Sequence, residues 1–156
     1  MPLEAAISLS LQLRDALAAE VKRSRTARGV LKAMQVEALL LQASERDAFN
    51  QTSGQLSDAI AQALGEVAAA HDQRDVTLEQ LIAWYPFEAA QLGAVFGEVR
   101  ALTNALKELD LFNQALAERA LTFVRAYVSH LAPRPAAYGR RGALVATEAS
   151  THSEHA

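Results

Sequence analysis

Proline occurs at only four positions in this chain: Pro2, Pro86, Pro133 and Pro135. Each proline removes a backbone donor and crowds the preceding turn, so each marks a place where a helix starts or stops. The long intervals between them are rich in Ala and Leu, which lose little entropy in a helix. No strand-period alternation of useful length interrupts those intervals. A chain of 156 residues suits one domain with a real core. The expected fold is all-α: an elongated antiparallel bundle of three to four helices with coiled-coil packing over residues 1–132. Residues 133–156 are expected to form a flexible, disordered C-terminal tail, because the final ATEASTHSEHA is small and polar.

Spacing places the helices. Leu3, Ile7, Leu11, Leu17 and Val21 give the first one an apolar face. It is expected to end near Arg28-Gly29, where arginines suit the negative terminus and glycine can adopt the left-handed cap. The second starts at Leu31 or Val36 and reaches Ala70, with the seam Phe49, Ser53, Leu56, Ile60, Ala63, Val67. Ser53 and Gly54 are expected to bend or soften its middle. Thr77 and Gln80 have capping-box spacing, which opens either a short helix stopped by Pro86 or the first turns of the last helix. Trp84, Tyr85 and Phe87 beside that proline read as a hydrophobic plug at one end of the bundle, or else as a knob for a partner. The last helix runs from Phe87 to Leu131, roughly 65 Å if straight, and this length is what makes the expected bundle elongated.

The charge is uneven. Residues 1–33 carry a net +3, residues 34–131 a net −7, and the last 25 residues a net +1. An acidic body argues against nucleic acid as the main partner. VKRSRTARGVLK, with Lys22, Arg23, Arg25, Arg28 and Lys32, suits RNA or an acidic membrane. It lacks stacking aromatics, and a solvated helix terminus is the simpler account. There is no cysteine, no apolar run long enough for a membrane span and no basic leader at the N-terminus, so a reducing cytoplasm is expected. His71 and His130 have no i, i+4 partner for a metal, and YGRRG lacks the strand and lysine of a phosphate loop. His71 in AAAHDQRD is the one candidate for histidine phosphotransfer, without the flanking Lys and Gly that would position a phosphoryl group.

The seam of the last helix is Leu92, Val95, Val99, Leu102, Leu106, Leu109, Asn113, Leu116, Ala120, Phe123 and Tyr127. A polar residue such as Asn113 at a seam position fixes register at some cost in stability. Leu109, Asn113 and Leu116, followed after a break by Tyr138, Gly139 and Gly142, give the chain its resemblance to flagellar export chaperones of the FlgN type. A second Asn common in that pattern is Asp110 here. The resemblance implies an antiparallel helical bundle of the bacterial cytoplasm with no catalytic activity and no cofactor. It also implies a protein that binds C-terminal helices of hook-associated proteins and delivers them to the flagellar type III export gate. On that basis Leu109, Asn113, Leu116, Phe123 and Tyr127 are the expected client groove, and Tyr138, Arg140 and Arg141 the expected contacts to the gate's cytoplasmic domain. Two other readings compete: a coiled-coil scaffold that self-associates, as a homodimer, through the same seam, and phosphotransfer at His71.

Overall fold

The computed structural model describes residues 3–131, 137–138 and 144–145. Among them are α1 (Glu4–Lys32), α2 (Val36–Ala70), α3 (Leu78–Trp84) and α4 (Pro86–Leu131), then two short strands, β1 (Ala137–Tyr138) and β2 (Leu144–Val145). The all-α expectation holds, with one addition. β1 and β2 pair antiparallel, Ala137 with Val145 and Tyr138 with Leu144. Pairs this short leave no periodic signal to read. The chain divides into two units, Met1–Ala120 and Leu121–Ala156.

In the first unit the core forms two clusters. Leu3, Ala6 and Ile7 of α1 meet Ala63 and Val67 of α2, Leu81 of α3, and Ala89 and Leu92 of α4. Further along, Leu13, Leu17 and Val21 meet Phe49 and Ile60, together with Leu106 and Leu109. The start of α1 thus meets the end of α2 and the start of α4, so α2 is antiparallel to both of the others. Trp84, Tyr85 and Phe96 pack on the first cluster, while Phe87 is exposed.

The helix ends show where local chemistry decides. Thr77 accepts from the Gln80 N–H, and the Gln80 side chain accepts from the Thr77 N–H, so the capping box forms and opens a separate short helix. Pro86 then starts α4, where its missing donor costs nothing. The stop expected at Gly29 does not occur: α1 continues through it to Lys32. The left-handed residue is Met34 (φ 53°). The Gln35 N–H reaches Val30 O and the Met34 N–H reaches Leu31 O, which is a Schellman closure. Asp72 (φ 53°) closes α2 in the same way, with Gln73 donating to Ala68 O and Asp72 to Ala69 O. A flexible residue is not needed at Gly29 because the turn that reverses the chain lies beyond it.

α2 is also continuous through Ser53-Gly54. A Cβ added at Gly54 meets nothing within 4 Å, so Gly54→Ala is expected to stabilise the fold by about 1 kcal/mol through helix propensity alone. Urea unfolding reads this directly, and a loss of stability would show that α2 needs glycine's freedom there.

Candidate functional site

The seam of α4 changes character along its length. Leu92, Val95, Leu106 and Leu109 are buried, and Leu109 is only 9% exposed in the second core cluster. Asn113 donates from Nδ2 to the Ser24 carbonyl of α1 at 2.9 Å. Its Oδ1 is buried without a partner among the described residues. Leu116 and Ala120 are half-buried. Phe123 and Tyr127 are then 72% and 58% exposed, with Leu121, Val128 and Leu131 similarly open. Helical spacing puts Leu121, Val124, Val128 and Leu131 in one row and Phe123 and Tyr127 in the next, so a broad apolar face lies open on the last turns of α4. Thr122, Arg125 and Ser129 fall on the opposite side.

This sorts the five seam residues considered from sequence. Leu109 is core and not groove, because α1 and α2 already cover it. Asn113 ties α4 to α1 through one N–H of its amide, while its Oδ1 has no partner among the described residues. Leu116 is half-covered. Of the five, only Phe123 and Tyr127 are more than half exposed. Tyr138 stands in β1, its backbone paired with Leu144, and Arg140 and Arg141 lie outside the described residues.

A buried charge network went unread in the sequence. Glu20 of α1 is buried and accepts from Arg23 at 2.5 Å and from Arg46 of α2 at 2.9 Å. Arg46 also donates to Asp110 of α4. Burial works against the Arg46 cation, but the hydrogen bond to Glu20 and the charge of Asp110 outweigh it and hold its pKa above the ordinary value. These residues line a cleft with Ser24, Gln42 and Gln114. Glu20 and Arg23 at i, i+3 were the one local sign of it; the rest depends on contacts between helices.

At the other end of the helices, His71 stacks on Trp84 with ring centroids 3.8 Å apart. Its Nε2 lies 2.9 Å from the Tyr85 hydroxyl. A ring stacked on one face and hydrogen-bonded at Nε2 is poorly disposed for phosphoryl transfer, and Trp84 and Tyr85 act here as part of the plug. Among the described residues no group of His, Asp and Glu side chains is placed to hold a metal, and no helix is long and apolar enough to cross a membrane.

The described helices form an all-α bundle, and the last turns of α4 carry an open apolar face. The chain belongs to the FlgN family, whose FlgN protein description matches residues 3–146, and with that membership comes a general role as a flagellar chaperone. No curated protein and no solved structure matches it.

Proposed function

We propose that the chain is a cytoplasmic, non-enzymatic chaperone that binds the C-terminal helices of flagellar hook-associated proteins and delivers them to the type III export apparatus. The observation that carries this reading is the open apolar face of α4, with Phe123 at its most exposed position. A soluble chain seldom leaves such a face uncovered unless a partner covers it. Phe123 and Tyr127 are the client anchors in this reading. Leu121, Val128 and Leu131 widen the surface they stand on, and the Tyr127 hydroxyl gives a directional contact at its edge. Tyr138, Arg140 and Arg141 are the contacts to the gate.

Two titrations on one variant test the division of labour. Tyr138→Ala is expected to leave affinity for a hook-associated C-terminal peptide unchanged and to weaken binding to the gate's cytoplasmic domain about tenfold or more, as loss of an aromatic anchor does. Equal losses in both titrations would make the tyrosine structural. The same open face also suits a second copy of the chain. Sedimentation of the free protein separates the two readings, since a scaffold would dimerise through α4 and ignore the peptide.

A further inference from the structure

A second exposed surface lies where α1 passes into α2. Residues 21–44 contain five basic residues, one acidic residue (Glu37) and no aromatic one. Two of the five cations are used internally: Arg23 pairs with buried Glu20, and Arg28 lies over the Phe112 ring, 4.1 Å from its centroid. Lys22, Arg25 and Lys32 are exposed and carry no ion pair among the described residues. The reversal itself, at left-handed Met34, is apolar and uncovered. Met34 is 47% exposed, Val36 59%, Leu40 68% and Leu41 61%. Val36 and Leu40, four apart in the first turns of α2, share a face.

We propose that this corner is a docking surface for an anionic lipid bilayer. The pattern is an aliphatic tip at the reversal with Lys32 two residues before Met34, and Arg25 and Lys22 nine and twelve residues before it along α1. Cations near an anionic headgroup layer each contribute attraction, and aliphatic side chains at the tip gain by entering the headgroup–acyl boundary. Single-stranded nucleic acid is the poorer fit, because its bases stack on aromatic rings and this stretch has none. The rest of the first unit supports an oriented approach. Residues 45–120, which follow the corner within the first unit, carry five basic and twelve acidic residues, a net −7, so an anionic surface repels that part of the unit and attracts this corner. Docking is peripheral and reversible; no helix among the described residues crosses a bilayer. The surface is distinct from the α4 face, so this inference stands apart from the client reading.

The test is co-sedimentation of the full chain with vesicles, one set pure phosphatidylcholine and one containing about a third phosphatidylglycerol, at about 50 mM and about 500 mM salt. Binding is expected only to the anionic vesicles and only at low salt. The combined variant Lys22→Glu, Arg25→Glu, Lys32→Glu is expected to reduce partitioning roughly a hundredfold or more. Leu40→Ser with Leu41→Ser is expected to reduce it roughly tenfold by removing the inserted tip. All five positions are exposed, and helix content by circular dichroism checks both variants. Should the charge reversal unfold the chain, Lys22→Gln and Lys32→Gln singly carry the same comparison. Equal binding to neutral vesicles, or none to anionic ones, overturns the proposal. So does binding that ignores the leucine changes and is displaced by single-stranded RNA, which would assign the corner to a polyanion.

Discussion

Arg46→Ala is expected to cost about 3–5 kcal/mol of unfolding free energy, among the largest effects available to a single side chain outside the hydrocarbon core. Arg46 connects α2 to Glu20 of α1 and to Asp110 of α4, and the Glu20 side chain is only 4% exposed. Removing the guanidinium leaves a carboxylate in the interior with Arg23 alone to satisfy it. The penalty is mainly that of the stranded charge, and it does not measure the worth of the pair. A second variant makes that distinction. Glu20→Leu combined with Arg46→Leu removes both charges, and since buried pairs replaced by apolar residues are often neutral, most of the lost stability is expected to return. Arg23 and Asp110 are exposed enough to regain water when released. If the double variant is as unstable as Arg46→Ala, the network itself holds the three helices together. The raised Arg46 pKa keeps its charge throughout the usable range. A cation held above its ordinary value contributes fully below that value and loses its contribution only as pH rises through the folded one, so Arg46 ionisation adds no pH dependence between about pH 5 and 9.

Features that depend on a few consecutive residues were readable in advance. The Thr77–Gln80 cap, the end of α2 at Ala70 and a start of α4 at the proline, one residue before the expected Phe87, all follow from local backbone chemistry, whereas the choice between Leu31 and Val36 for the start of α2 does not. Gly29 misled because glycine permits a left-handed stop without requiring one. The reversal fell instead on Met34, a residue with no preference for it, where the chain could close a Schellman motif before starting α2. The buried network is legible only once three helices are set side by side, since Glu20, Arg46 and Asp110 are far apart in sequence. The α4 seam is the instructive case. Leu109 and Phe123 occupy equivalent places in one unbroken heptad pattern, and periodicity assigns both to the same stripe. One is buried and the other open because burial depends on what lies opposite, and a repeat within one helix carries no record of its neighbours. Asn113 illustrates the same limit. Its place in the heptad says nothing of the Ser24 carbonyl in α1 that accepts from its amide once the helices are assembled.

That difference between two matched seam positions yields the most discriminating experiment. Leu109→Asp is expected to abolish cooperative folding or to cost more than about 4 kcal/mol, because it puts an unpaired carboxylate among Leu13, Leu17, Val21 and Phe49. Phe123→Asp carries the same charge to an open position. It is expected to change stability by no more than about 0.5 kcal/mol, part of which is the weaker helix propensity of Asp. Its effect should fall on binding. A phenylalanine anchor removed from a helix–helix interface, with a carboxylate buried in its place, is expected to cost at least about 2 kcal/mol, or roughly thirtyfold in affinity for a hook-associated C-terminal peptide. Urea unfolding and peptide titration on both variants give four numbers, and the proposed function requires a particular pattern in them. If Phe123→Asp unfolds the chain, the α4 face is already covered in solution. If it folds and binds peptide normally, the client lies elsewhere on the molecule, and the open face of α4 must be assigned to a second copy of the chain or to the export machinery.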